Sequence, residues 1–440
     1  MTKILATIGP SSEGKNLKYF IHNSELLRLN LSHNHINWHK KIIKRIKYIN
    51  KNKLILVDVP GIKPRTLNKK IIDIKKGQIV KFAYKKNKKD IIEISNPLPK
   101  TQKNFKTFYL SDGAFEFKSL GISKNILTGK SMQNFKLKMK KGLNIPYSVY
   151  DNKAQEKLYL FYLKMISKLD IDCVGLSFIQ DASILLKIKK KYPNLILISK
   201  IENLSGYKNK NEIIKYSDAV MIDRGDLAAE VGVSEMFNYS DHIIQETKKN
   251  NKPVIIATEN LNSLMSNTAP SKSDIVNLEY YLQKNVEFIM LSDETATSIN
   301  AQNTVKWLKK YLVKKLEKNE TKRDILKLEE IINQFKKETL VLFSKKGYFN
   351  DKISSSNLKH LILFTENKKL KKLSQLKLNC TSIYTKFPKQ YLDKFMYKNI
   401  KKYKSSIFKK NDYAYLINVI FPREESRANS ISIINKKDFK

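Results

Sequence analysis

The 440-residue chain carries 84 Lys and Arg against 41 Asp and Glu, a formal charge of +43, alongside 41% hydrophobic residues, 22 Tyr and 20 Phe. That apolar and aromatic content excludes a disordered polyelectrolyte, the length leaves room for two or three domains, and two cysteines (Cys173 and Cys380) exclude a disulfide framework and suit a reducing cytosol. The N-terminal MTKILATIGP has no apolar signal core and no run reaches membrane-spanning length, so a cytoplasmic protein with no membrane partner is expected.

The positive excess is mostly lysine, spread over the whole chain and accompanied by abundant Asn and Ile. Biased composition accounts for this more simply than a nucleic-acid interface does, so no specific nucleic acid is expected. The charge attracts anionic substrates and, loosely at low salt, polyanions.

Eight short apolar runs recur through the first 300 residues: Lys3–Ile8, Leu26–Leu31, Lys53–Val57, Cys173–Phe178, Leu195–Ile201, Ala219–Ile222, Pro253–Ala257 and Phe288–Leu291. Helix-period stretches follow most of them, such as Ile36–Ile49, Ile184–Tyr192, Ser234–Lys249 and Ser273–Gln283. Repeated β/α units predict a (β/α)8 barrel, whose chemistry gathers at the C-terminal strand ends. The polar residues sit at those ends: Arg28, Asn30 and Ser32, then Asp58, Lys200, Glu202, Asp226, Thr258 and Glu294.

The stretch Leu195–Asp226 is the most informative. Two apolar runs end abruptly in charge, the first in Lys200-Ile-Glu202-Asn203 and the second in Asp223-Arg-Gly225-Asp226, with a helical length between them. Parallel strand ends point the same way, so Lys200, Glu202 and Asp226 converge on one rim, and alternation puts Lys200 and Glu202 on one face. Two carboxylates and an ammonium suit Mg²⁺ with phosphate oxygens, while a structural salt bridge is the plainer alternative.

The third unit is interrupted after Asp58-Val-Pro-Gly-Ile-Lys63-Pro-Arg65-Thr66. Alternating strands with Gly turns over 67–142 predict a small inserted β domain placed as a lid on a barrel formed by 1–66 and 143–316. Helix-like Ala301–Leu316 closes the barrel and a lysine-rich helical connector follows. From 327 to 440, alternating runs (Leu361–Thr365, KKLKKLSQL, Thr381–Tyr384, Tyr413–Val419) predict a separate C-terminal α/β domain.

TKILATIGPSS at the N-terminus, RLNLSH at Arg28–His33, Asp58–Thr66, Ser111-Asp112-Gly113, KIEN at Lys200–Asn203, RGDL at Arg224–Leu227, Ala257-Thr258 and LSDETA at Leu291–Ala296 occur in an order that resembles the pyruvate kinase family. The resemblance covers nearly the whole chain and implies Mg²⁺-dependent phosphoryl transfer from phosphoenolpyruvate to ADP, giving pyruvate and ATP. It implies Glu202 and Asp226 as the Mg²⁺ ligands and Lys200 as the group neutralising the transferring phosphoryl. Arg28 would grip the phosphoryl group with its planar fork. The Gly225 and Asp226 amides and Thr258 would hold the carboxylate, with Thr258 also placed where the family protonates the enolate. Arg65 and Asn30 would serve the nucleotide, Asp112 would close from the lid, and a homotetramer is implied. Asn30 and Ser32 also suit local strand-end capping, and Asp112 a plain turn. His33, His35 and His39 read as loop or helix-surface groups, and Trp38 and Trp307 as packing.

The departures from the family pattern are specific. Many members hold a monovalent cation on residues matching Asn30, Ser32, Asp58 and the Val59 carbonyl, helped by a glutamate; here that position is Lys63, whose ammonium would replace the cation, so activity without K⁺ is expected. Asp223 replaces a small residue before Arg-Gly-Asp, Ala228 stands for a glycine, Gln180 for a basic residue and Asp293 for a glycine. Glu259, Asn260 and Asn262 change the stretch after Thr258, and SDIVNLEYY differs too. In the last domain Glu366-Asn367-Lys368-Lys369 suits a phosphate poorly, so activation by a sugar bisphosphate is not expected. These departures leave open a related phosphotransferase acting on another enol or phosphorylated acid, and a non-catalytic polyanion- or partner-binding protein on the same scaffold.

Overall fold

The computed structural model describes residues 2–85, 88, 90–111, 113–318, 335, 337–344, 358–388, 392–409, 411–418 and 430–439. The chain divides into two compact units, Ile4–Val305 and Lys306–Lys440, the latter counted with Met1–Lys3.

In the first unit eight parallel strands close into a barrel. They begin with β1 (Lys3–Thr7), β2 (Leu26–Asn30) and β3 (Leu54–Val59). After ten short strands, β4 to β13, the barrel resumes with β14 (Cys173–Leu176), β15 (Ile196–Lys200), β16 (Ala219–Asp223), β17 (Val254–Ala257) and β18 (Phe288–Leu291), which pairs back to β1. Barrel strands face side-chain layers inside and helices outside, which is why they read as continuous apolar runs. Every residue of β3, β15, β16, β17 and β18 is buried.

The return helices are α1 (Leu17–Asn23), α2 (Ile36–Ile49), α3 (Asn152–Ile166), α4 (Ala182–Lys191), α5 (Leu204–Lys208), α6 (Lys210–Tyr216), α7 (Arg224–Val231), α8 (Val233–Lys249), α9 (Lys272–Gln283), the single turn α10 (Asp293–Ala296) and α11 (Ala301–Lys318). Several start on short polar caps that accept from orphan amides: Asp151 from Ala154, Asp181 from Ser183, and Ser271 with Asp274 in a reciprocal box on α9. The connection after Lys200 is two short helices rather than one. Asn203 caps the first through the Gly206 amide, and Gly206 itself lies too close to the Ile179 carbonyl to carry a side chain.

Between β3 and α3 the chain builds a six-stranded sheet in the order β12 (Leu143–Asn144), β8 (Thr107–Leu110), β9 (Phe115–Ser123), β10 (Ile126–Ser131), β5 (Ile79–Tyr84), β6 (Ile91–Ile94). Two further pairs, β4 (Ile72–Ile74) with β11 (Phe135–Leu137) and β7 (Lys100–Thr101) with β13 (Ser148–Val149), complete it. Its core is aromatic: Phe108 stacks on Phe117 at 5.0 Å and Phe82 meets both edge-on. The outgoing and returning chain segments pair at Arg65 with Gly142, so the connection to the barrel is a two-stranded strap. Asp112, expected to close over the site, lies outside the described residues.

The second unit is a five-stranded sheet in the order Cys380–Tyr384, His360–Thr365, Thr339–Phe343, Tyr413–Asn418, Ser430–Asn435, parallel except for the last strand. The helix Lys368–Leu376 starts on Asn367, whose side chain accepts from the Leu370 amide, while Glu366 accepts from Phe387. The connector expected after Leu316 lies, beyond Lys318, outside the described residues. Among the described residues no helix is long and apolar enough to cross a membrane.

Candidate active site

The C-terminal ends of the barrel strands bring four carboxylates and three cationic side chains into one buried cluster. Arg28, from β2, forks onto Asp58 at the end of β3, with Nε and Nη2 2.9 and 2.7 Å from Oδ2. The register sets this up, since Asn30 and Gly175 both lie beside Asp58 in neighbouring strands. Gly175 must be glycine: a Cβ there would stand 2.9 Å from Asp58 Oδ1. Burial by itself would raise the Asp58 carboxyl, but Lys200 and Arg28 outweigh it and hold the group below the usual carboxylate range.

Lys200 ends β15 and sits at the centre. Its ammonium lies 2.8 Å from Glu202 Oε1, 3.3 Å from Asp58 Oδ2 and 3.4 Å from Asp223 Oδ2. Desolvation would strip its proton, yet Asp58, Glu202 and Asp223 more than compensate, so Lys200 stays an ammonium far above its ordinary range. Glu202 is fully buried and accepts from the Phe178 amide at 2.6 Å through Oε2. Lys200 is near its other oxygen without hydrogen-bond alignment. Burial, then the neighbouring Asp226 and Asp223, push the Glu202 carboxyl well up despite Lys200.

Asp226 lies in the first turn of α7, where its charge favours the positive end of the helix. Lys63 reaches it at 2.5 Å and the Asn144 amide at 3.1 Å. Lys63 is therefore an Asp226 partner, whereas the sequence placed its charge at the monovalent-cation residues. Those residues already have partners, in one another and in Ser177. Asn30 Oδ1 accepts from the Ser32 amide, the Val59 carbonyl from the Ser177 amide, and Asp58 Oδ1 from the Ser177 hydroxyl. Arg65 reaches Ser32 Oγ at 3.4 Å and the Lys140 carbonyl at 3.3 Å, so it ties the strap to the rim.

Thr258 follows β17 with φ +61°, a strained value for a β-branched residue, and Glu259 after it has φ +51°. Its hydroxyl accepts from the Gly225 amide at 3.2 Å and faces two acceptors, the Ala257 carbonyl at 2.8 Å and Asp223 Oδ1 at 3.1 Å. Arg224 braces the turn from below through the Ala257 and Thr258 carbonyls, Asn260 and Asn277, stacked over Tyr281.

Glu202, Asp223 and Asp226 offer carboxylate oxygens within 4.8 Å of one another. An all-oxygen, carboxylate-rich donor set, with Glu202 and Asp223 buried and Asp226 partly so, fits a hard divalent cation such as Mg²⁺. Asp223, which the sequence marked as foreign to the pattern, is part of this set.

Other expected residues fall elsewhere. Glu294 is buried and accepts from the Ser292, Asn260 and Leu261 amides, a clamp on its own loop. Gln180 bridges both backbone groups of Tyr150 and the Asn152 side chain. Asp293 and Glu259 are exposed, Asn262 begins a 3-10 turn, and Ala228 lies within α7. His33 and His35 are exposed, but His39 is buried: it holds the His33 carbonyl and packs edge-on to Trp38. Trp38 itself donates to Glu13, and Trp307 stacks on Tyr311.

Three site residues were not singled out from the sequence. Ser177 touches both Asp58 and Lys200, and its place just past β14 fits the strand-end rule that found the others. Asn144 comes back from the inserted sheet and had no local signal. Glu230, one turn after Asp226 on α7, is buried with Oε1 lacking a hydrogen-bond partner, and burial raises its carboxyl to about 8.

The sequence model described as "Pyruvate kinase, barrel domain" matches residues 1–305. Curated relatives include the pyruvate kinase of Thermotoga maritima, 28% identical over 324 residues that cover 70% of each chain. That of Thermococcus litoralis is 29% identical over 67% of this chain and 65% of its own, and that of Encephalitozoon cuniculi 28% identical over 70% and 74%. With the eight-stranded barrel, the rim cluster and a family match over more than two thirds of its length, this chain belongs to the pyruvate kinase family of phosphotransferases.

Proposed function

We propose that the chain is a Mg²⁺-dependent pyruvate kinase, moving the phosphoryl group of phosphoenolpyruvate to ADP. One observation carries the reading: Arg28, Lys200 with Glu202, Asp226 and Thr258 leave four different strand ends and converge at one rim. The catalytic barrel is 1–66 with 143–316, residues 67–142 act as the lid, and 327–440 form the third domain of a cytoplasmic homo-oligomer.

Glu202 and Asp226 would hold the Mg²⁺, which supplies positive charge to the phosphoryl oxygens and the substrate's carboxylate region. Lys200 remains an ammonium through its three acidic neighbours and offsets the charge spread over the transferring phosphoryl. Arg28, pinned on Asp58, presents a pre-oriented guanidinium and loses little freedom on binding. The Gly225 and Asp226 amides at the start of α7 receive the carboxylate, and the Thr258 hydroxyl stands beside the carbon that gains a proton. Arg65, from the strap, and Asn30 serve the nucleotide phosphates.

The test is pyruvate release from phosphoenolpyruvate, ADP and Mg²⁺, read by coupled oxidation of NADH. Lys200→Met and Glu202→Ala should each lower kcat by about 10³-fold or more. Absence of any pyruvate from the intact protein refutes the reading. A specific observation favours a second reading, a related phosphotransferase with another enol substrate: Asp223 adds an acid where the family pattern has a small residue.

A further inference from the structure

Asp223 is the rim acid that the reaction above does not use. It ends β16, is buried, and aims both oxygens at groups already given a task. Oδ1 accepts from the Thr258 hydroxyl at 3.1 Å, and Oδ2 lies 3.4 Å from the Lys200 ammonium. The hydroxyl carries one proton, and Asp223 and the Ala257 carbonyl both compete for it. The same oxygen receives the Gly225 amide at 3.2 Å. Thr258, with the Gly225 and Asp226 amides, is where a substrate's carboxylate would bind. A carboxylate belonging to the chain therefore stands beside that seat and holds its hydroxyl.

We propose that Asp223 is a specificity-determining residue: a built-in carboxylate that weakens binding of an enol phosphate bearing its own carboxylate and relatively favours one in which that group is neutral or missing. The inference rests on the reading of the rim as a pyruvate kinase site. Its physical basis is twofold. Like charges brought together in a water-poor pocket repel strongly, and a donor already committed to Asp223 must be released before substrate can use it.

The experiment compares the full-length protein with Asp223→Ala and Asp223→Asn, using phosphoenolpyruvate and vinyl phosphate, an enol phosphate with no carboxylate. In Asp223→Ala the KM for phosphoenolpyruvate should fall about tenfold, and the preference for phosphoenolpyruvate over vinyl phosphate should rise about tenfold. Asp223→Asn, which loses the charge and keeps an acceptor, should fall between. Pyruvate formation with KM unchanged or raised in both variants overturns the role of Asp223 alone. Mn²⁺ binding measured by electron paramagnetic resonance without substrate separates the other function open to this acid. A loss of more than about tenfold in Asp223→Ala makes Asp223 a metal ligand and overturns the proposal. No pyruvate from the parent overturns the functional reading itself, an outcome distinct from the failure of Asp223's role.

Discussion

Replacing Lys63 by Met tests whether this ammonium competes with a divalent cation for Asp226. The pair is close, 2.5 Å, with side-chain exposures of 3% and 15%. Breaking a buried pair by removing one partner costs roughly 3–5 kcal/mol, because the remaining charge stays desolvated. Asp226 keeps some solvent contact, so about 3 kcal/mol is the fairer figure for the metal-free protein. At about 2–4 °C per kcal/mol for a unit of this size, the melting temperature in EDTA should drop by about 6–12 °C. With Mg²⁺ part of that loss is recovered, because the cation neutralises the Asp226 carboxylate without a rival. If the dissociation constant falls about tenfold, saturating Mg²⁺ returns about 1.4 kcal/mol more to the variant than to the parent. Thermal melts of both proteins, in EDTA and in saturating Mg²⁺, measure this directly. An equal loss in the two media, or a smaller Mg²⁺ response in the variant, would refute the competition.

Glu230 gives a pH test. Burial raises its carboxyl to about 8 from an ordinary 4.5, so the folded protein binds a proton that the unfolded chain releases between those values. That stabilisation is complete below about pH 4.5 and is lost as pH rises towards 8, by about 3 kcal/mol between pH 5 and 8. Denaturant melts of Glu230→Gln should therefore lack this slope and show a variant more stable than the parent at pH 8; parallel slopes would contradict the assignment. Gly175→Ala should push Asp58 off Arg28 and Lys200, lowering kcat/KM by about 10²-fold for a stability cost of about 1–3 kcal/mol, read from steady-state kinetics and a melt. Added K⁺ at fixed ionic strength should change the rate by less than about twofold, because the oxygens matching a monovalent-cation shell already accept from Ser32, Ser177 and Arg28. Strong K⁺ activation would sink that expectation.

The barrel was legible because each strand is an apolar run bounded by polar residues, and those residues stand at one end by the geometry of parallel strands. Period alone located α2, α8 and α9 nearly to the residue. What the sequence could not carry was direction at the scale of one side chain. Lys63 was assigned to the cation residues near Asp58, yet its long chain turns to Asp226, a choice that depends on the strap's path. Asn144 reaches the site from the far end of the inserted sheet, 82 positions from Asp226, which no local pattern encodes. His39 illustrates the reverse error: a polar residue on an exposed-looking helix face is buried because the His33 carbonyl supplies its partner.

Two departures from the family pattern make sense only together. Asp223 adds a negative charge to a rim already holding Asp58, Glu202 and Asp226, and Lys63 adds a positive one beside Arg28 and Lys200. Where the pattern has glutamate for Lys63 and a small residue for Asp223, two cationic side chains face four carboxylates and a monovalent cation reduces the excess by one. Here three cationic side chains face four carboxylates, and the same balance is reached without an added ion. The compensating charge does not sit where the ion would, since Asp58 is taken by Arg28 and Lys200 and the new ammonium stands on Asp226. In a buried cluster that displacement is tolerable, because electrostatic effects reach past the first contact when little water intervenes. What the chain preserves is thus the summed charge presented to a phosphoryl group, while the groups that supply it have moved.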